Sequence, residues 1–189
     1  MITNLEVRIA RTEEEKHICY KIRYLSYLNV GYISENPSSD ELTDKYDLYS
    51  VIFLVFRGDE NLATVRMTKD SELGFEMEGL FDLSGLRLQC NSLWECSKMM
   101  AVPGSEKYNT ALPMIAAPYM FAKKNGITDL CWMAHPDHAR TYTRIGAKPF
   151  AETKIYQGVG QPAVPLLWHV EDTNEVYKEI FERKVGIHL

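Results

Sequence analysis

Short apolar runs and helically spaced apolar stripes succeed one another along the chain. Leu5 to Ala10 alternates enough to predict a strand. Thr12 followed by Glu15 is a capping box, and Ile18, Ile22 and Leu25 recur at helical spacing, so a helix to about Tyr27 should turn that stripe to the core. Residues 29–50 are polar and punctuated by Gly31, Pro37 and two serines, too long for an ordinary connection and therefore a candidate functional loop. Val51 to Phe56 is a continuous apolar run, Gly58-Asp59-Glu60-Asn61 is turn chemistry, and Leu62 to Thr68 completes a hairpin. Beyond an irregular stretch, Leu93 to Val102 predicts a strand ended by Pro103-Gly104, and Thr110 to Asn125 a helix kinked at Pro118 and stopped by Gly126. A short strand at Leu130–Ala134, a helix from Pro136 to Gly146, strands at 152–157 and 164–170 and a helix from Thr173 to Lys184 follow. This order, β-α-loop-β-β-β-α-β-α-β-β-α, is an α/β arrangement without a Rossmann GxGxxG or a P-loop.

Composition narrows the class. With 189 residues, 46% hydrophobic and 25% charged, the chain is long enough for one buried core, so residues 1–189 read as one domain. A net charge of −5 and a pI of 5.6 disfavour a nucleic-acid binder, which needs a basic stripe. Cys19, Cys90, Cys96 and Cys131 form no CxxC pair, so reduced cysteines are expected. No apolar run approaches the ~18 residues that span a bilayer, and Glu13, Glu14 and Glu15 are unlike the basic start of a signal peptide. A cytoplasmic protein without integral membrane association is expected.

Seven residues of the first half carry the candidate chemistry. Arg23 and Tyr27 fall on the first helix, Asp44 and Asp47 in the polar loop, Arg66 on the hairpin, and Glu95 and Lys98 on the strand at 93–102. A fold that converges them makes one charged cleft, whereas any charged quartet taken alone would read as a surface ion-pair network. Their types and spacing resemble those of the N-acyl-homoserine-lactone synthases and the long-chain N-acyl amino acid synthases, of which N-acyl tyrosine synthase is the type example. The resemblance covers most of the chain and implies the GNAT acyltransferase fold, a mixed central sheet flanked by helices. It further implies that Arg23, Tyr27, Asp44, Asp47, Arg66 and Lys98 shape and brace the acceptor side, with Glu95 beside the reacting amine. Two departures bear on the acceptor. The lactone synthases usually have arginine at Lys98 and a tryptophan near Tyr32-Ile33 that helps hold S-adenosylmethionine. A lysine lacks the planar fork and an isoleucine lacks the indole face, which favours a free amino acid, and the resemblance to the N-acyl tyrosine synthase type implies a tyrosine-like one.

Acyl transfer from a thioester to an amine requires a base for the ammonium, a donor to the oxyanion and a proton for the thiolate. Glu95 suits the first role, a backbone N–H from Ser97 to Met99 the second, and Tyr142, in Tyr-Thr-Arg-Ile-Gly, the third by resemblance to the fourth GNAT helix. In a regular strand Glu95 and Ser97 share a face and Lys98 points away, so Glu95 and Lys98 cooperate only across an irregularity. Val102 to Thr110, where many CoA-dependent relatives have a glycine-rich pyrophosphate loop, offers one glycine and one lysine. That favours acyl carrier protein over CoA as bearer of the acyl-phosphopantetheine, with no permanently bound cofactor. Lys123, Lys124, Arg140, Arg144 and Lys148 are candidates for a basic patch facing the acidic carrier. Met99, Met100, Met114, Met120, Phe121 and Met133 are either an acyl pocket or a methionine-rich core. His135 and His138 have metal-like spacing but no third ligand, so no metal is expected. A lactone synthase, an acetyl-CoA-dependent acetyltransferase and a non-catalytic acyl-binding module remain alternatives.

Overall fold

The structure, a computed structural model, describes residues 5–184 and 186–188. The described residues form nine strands: β1 (Glu6–Ile9), β2 (Ser50–Arg57), β3 (Glu60–Lys69), β4 (Leu93–Ala101), β5 (Asp129–Ala134), β6 (Lys148–Pro149), β7 (Lys154–Tyr156), β8 (Gln161–His169) and β9 (Gly186–His188). Five α-helices accompany them: α1 (Glu13–Asn29), α2 (Ser84–Gln89), α3 (Ala111–Asn125), α4 (Pro136–Ile145) and α5 (Glu175–Lys184). The sheet runs β6-β8-β5-β4-β3-β2-β1-β9, with β7 paired to β8. β4–β5 and β1–β9 are parallel and the other neighbours antiparallel, so the sheet is mixed. Helices α3, α4 and α5 contribute to the main core on one face, through Met114, Ile115, Tyr119, Ala139, Ile145 and Phe181. Helix α1 covers the other face with Cys19 and Ile22 against Ile52 and Leu54.

Most expected elements are present, and the differences have physical causes. The first helix opens on its capping box, Thr12 accepting from the Glu15 N–H and Glu15 reaching back to Thr12. Its buried face is Cys19, Ile22, Arg23 and Ser26, whereas Leu25 of the expected stripe is exposed. That face is half polar because it looks onto a charged site, and Ser26 Oγ donates to the Ala101 carbonyl at 2.8 Å, pinning α1 to β4. The hairpin turns at the two residues Gly58-Asp59, with Gly58 at φ 58°, so β3 begins at Glu60, two residues before the expected Leu62. The helix α3 runs uninterrupted through Pro118. Residues 154–156 and 161–169 are the strands expected at 152–157 and 164–170, and α5 begins at Glu175 rather than Thr173.

The stretch between β3 and β4, irregular by sequence, is ordered. A 3-10 turn at Glu76–Gly79 and α2 bury Phe75, Met77, Phe81, Leu83 and Leu86 against Leu93, Cys131 and Ala163. Each such side chain contributes on the order of 1.5–3 kcal/mol, which orders a segment without strong periodicity. Arg87 reinforces it by bridging Asp70 and Glu78.

Candidate active site

β3 and β4 place the first four side chains of the site. Thr68 faces Glu95 and Arg66 faces Ser97 across the antiparallel ladder, so all four share one face. The register then slips: Thr64 pairs Met100, leaving Val65 opposite both Lys98 and Met99. Lys98 sits at φ 51°, in the left-handed region that ordinary residues avoid. This β-bulge is the irregularity that cooperation between Glu95 and Lys98 requires, and it turns Lys98 onto the face of Glu95 and Ser97. The ladder between β4 and β5 ends at Glu95–Cys131, although β4 continues to Ala101 and β5 to Ala134. Where the strands part lies a cleft of about 530 Å³.

The polar loop delivers its aspartates through local capping. Asp44 Oδ1 accepts from the Tyr46 N–H and Asp47 Oδ2 from the Asp44 N–H, both at 2.9 Å, closing a reciprocal box around the 3-10 turn Lys45–Tyr49. Asp-x-x-Asp is the spacing such a box needs. Both aspartates also meet Arg66, which is 0% exposed: its Nη1 donates to Asp44 Oδ1 at 2.5 Å and Asp47 Oδ1 at 3.1 Å, its Nη2 to Glu76 Oε2 at 2.7 Å, and its Nε to Ser97 Oγ at 2.9 Å. The buried Arg23 donates to Asp47 Oδ1 at 2.7 Å and lies over the Tyr20 ring. Among the described residues its Nε and Nη2 have no hydrogen-bond partner.

Glu76 is a residue of the cleft that the sequence does not single out. Besides Arg66 it accepts from Lys98 Nζ at 2.7 Å and meets the Tyr156 hydroxyl at 3.5 Å, and it lines the cleft. Its backbone N–H donates to Glu95 Oε2 at 2.8 Å, and the Met77 N–H to Glu95 Oε1 at 2.9 Å. The only sequence signal was an acidic residue alternating with the apolar Phe75 and Met77. Lys98 also lies 3.6 Å from Asp44 Oδ2 and 5.4 Å from the Tyr27 ring centroid. Tyr32 lines the cleft and meets Tyr27 edge to face at 5.6 Å, so an aromatic wall stands beside the position where the resemblance implies a tryptophan.

These surroundings set the ionisation of the site. Burial, with Glu76 nearby, pushes the Glu95 carboxyl up to about 7, against the opposing pull of the two backbone N–H groups and Arg66. Burial opposes ionisation of Asp44 too, but Arg66 and Lys98 hold it below its ordinary range. Burial likewise lowers Lys98, and is outweighed by Glu76 and Tyr27, which hold the ammonium above the usual lysine value. The Tyr142 hydroxyl donates to Met99 Sδ at 3.1 Å, and burial pushes its pKa up to about 12, so it keeps its proton at neutral pH.

The structure thus brings together Tyr27, Glu95, Ser97, Lys98, Met99, Met100, Met133 and Tyr142 in the cleft wall, with Arg23, Asp44, Asp47 and Arg66 forming the ion-paired layer behind. Met114 is instead in the main core, and Met120 and Phe121 pack against it; none of the three lines the cleft. His135 and His138 line it beside Tyr142. The basic residues do not make one patch. Arg140 and Arg144 are exposed on α4, which follows the cleft end of β5, whereas Lys123 lies at the far end of α3 bonded to Glu182, and Lys148 meets Asp172.

No curated protein sequence matches the chain. Among solved structures it resembles FeeM, an N-acyl amino acid synthase from uncultured soil microbes, at 19% identity and a TM-score of 0.75 over 89% of this chain and 91% of that one. It also resembles BjaI, a CoA-dependent acyl-homoserine lactone synthase seen with SAM and isopentyl-CoA, at 14% identity and 0.77 over 97% and 93%. The AHL synthase LasI superposes at 17% identity and 0.69 over 98% and 97%. These likenesses give the fold, that of the acyl-CoA N-acyltransferases. Residues 18–169 match the family described as N-acyl amino acid synthase FeeM, most of the chain and all seven residues first singled out, so the protein belongs to that family and is an N-acyltransferase.

Proposed function

We propose that the chain, acting as one domain in the cytoplasm, moves a long-chain acyl group from the phosphopantetheine of acyl carrier protein to the α-amine of an amino acid, tyrosine-like in side chain. The observation that carries this reading is a nearly buried Glu95 with a raised pKa, set where β4 and β5 part and beside an apolar wall of Met99, Met133, Trp132 and Ala134. The thioester arm lies in that parting with its carbonyl near the bulge. Glu95 takes a proton from the acceptor ammonium, and the freed amine attacks the thioester carbon. A backbone N–H of the bulge at Ser97–Met99 meets the oxyanion, a contact worth on the order of 3 kcal/mol in the transition state. The new N–C bond is kept and the C–S bond breaks; the Tyr142 hydroxyl protonates the departing thiolate, and the second proton lost by the attacking nitrogen returns to the tyrosinate, so that one proton in all is left on Glu95.

Acyl carrier protein is favoured over CoA by the poverty of Val102–Thr110 in glycine and cation, and by Arg140 and Arg144 on the exposed face of α4. Both arginines suit an acidic carrier. Thiol release from palmitoyl-loaded carrier protein and from palmitoyl-CoA, each with a pool of amino acids, tests the donor. We expect kcat/KM about tenfold or more higher for the carrier, and a further fall with the carrier alone in Arg140→Glu/Arg144→Glu. Equal use of both donors would assign the thioester to CoA.

A further inference from the structure

We propose that Glu76 and Lys98 are a clamp for the zwitterion of the acceptor, Lys98 taking its α-carboxylate and Glu76 its α-ammonium. The inference rests on the acyl-transfer reading above and names the groups that select an α-amino acid over a simple amine. The two side chains pair with each other at 2.7 Å, line the cleft, and are 10% and 13% exposed. They are therefore largely desolvated, yet reachable from the cleft. A zwitterion offers each the partner it would give up: the ammonium replaces Lys98 on Glu76 Oε1, and the carboxylate replaces Glu76 on Lys98.

The neighbouring groups fix which charges can exchange. Arg66 cannot, because Asp44, Asp47, Glu76 and Ser97 already surround its buried guanidinium. Its hold on Glu76 Oε2 leaves Oε1 as the oxygen whose partner changes. Lys98 can exchange, since its second ion pair, to Asp44, is 3.6 Å long and its stem is flexible. The left-handed backbone of Lys98 points the same way. Glycine or asparagine would adopt this backbone with less strain than lysine does, and strain of this kind is held at ligand sites where the side chain has a task. Glu76 is also the residue whose N–H holds Glu95, so an ammonium on the Glu76 carboxylate lies within one side chain's reach of the base.

An amine without a carboxylate would take Glu76 from Lys98 and return nothing, leaving a buried ammonium short of a partner. Such a loss is severe at a desolvated pair. The test compares wild-type N-acylation, with palmitoyl-loaded carrier protein and palmitoyl-CoA, of matched pairs: tyrosine and tyramine, phenylalanine and phenethylamine, leucine and 3-methylbutylamine. We expect the acylated amino acid to exceed its amine in kcat/KM by about 100-fold or more. In Lys98→Met the gap should shrink below about tenfold through a raised amino-acid KM, and Lys98→Arg should restore part of it. Glu76→Gln, which preserves shape, should raise the amino-acid KM about tenfold, and it decides the matter if Lys98→Met does not fold. Amines used as well as amino acids, a gap surviving in Lys98→Met, or an unchanged KM in Glu76→Gln would overturn the clamp while leaving acyl transfer intact. No N-acylated product from any compound would overturn both.

Discussion

Glutamine in place of Glu95 should lower turnover by about 10²- to 10⁴-fold, the range a positioned base supplies, while the variant folds and binds the acyl donor with a loss of about 1–3 kcal/mol in stability, since its NH2 faces one of the two backbone N–H groups. The expectation follows from the position of the carboxylate. It is 1% exposed at the parting of β4 and β5, and two backbone N–H groups hold it in place without exhausting its lone pairs. Its raised pKa fixes the pH dependence. Below about 7 the carboxyl carries its proton and cannot accept another, so wild-type kcat/KM, which follows the free enzyme, should fall about tenfold per unit on the acid side and level off above. Glutamine removes that limb. Stopped assays from pH 5.5 to 9 on both proteins check it, with a melting curve to show that the variant is folded. Unchanged turnover, or an acid limb that survives in the variant, would take Glu95 out of the mechanism.

Arg66→Ala produces the largest loss of stability. The guanidinium is fully buried and is the shared partner of Asp44, Asp47 and Glu76, so alanine takes one cation from three carboxylates at once, leaving Asp47 to Arg23, and Glu76 and Asp44 to share Lys98. Removing one member of a buried ion pair costs about 3–5 kcal/mol, or on the order of 10 °C in melting temperature for a chain of this size. The polar loop should loosen with it, because its aspartates keep their capping box but lose their attachment to β3. Acceptor use is expected to collapse, while donor binding, proposed to lie between β4 and β5, should decline less. Acid titration gives a second readout. Asp44 is held below its ordinary value of 3.8, so the stability it contributes is present above that pH and lost as pH falls further. The variant should show less of this acid-side loss, Lys98 alone remaining beside Asp44. A melting temperature within about 2 °C of wild type would reduce the network to surface pairing.

The legible parts of the fold were those written in local rules. The capping box at Thr12, the hairpin turn at Gly58-Asp59 and the stop at Gly126 each depend on neighbours a few residues away. Strand parity put Glu95 and Ser97 on one face and marked the one place where Lys98 needed a break in the ladder. That Lys98 itself adopts φ 51° carries no sequence signal, because lysine has no preference for the left-handed region. Glu76 escaped notice for a different reason. Its turn is held by burial of Phe75, Met77, Phe81 and Leu83 against distant strands, contacts that no window of the sequence contains. The short β9, which pairs in parallel with β1, is likewise a product of the whole fold. In α1 the apolar stripe misjudged the buried face by one residue, since Arg23 and Ser26 turn inward to the ion pairs and to β4. Residue type also could not separate Met99, Met100 and Met133 in the cleft wall from Met114 in the core. Methionine suits both places, and only the parting of β4 and β5 distinguishes them.

The most direct measurement of the central claim is identification of the product by mass. Wild-type protein is incubated with palmitoyl-loaded carrier protein, with palmitoyl-CoA or with acetyl-CoA, and in each case with the standard amino acids and S-adenosylmethionine. The expected product is a palmitoyl amide of an amino acid, acylated at its α-nitrogen and formed with release of an equal amount of thiol. Consumption of acetyl-CoA alone, or release of methylthioadenosine with an acyl lactone as product, would contradict it.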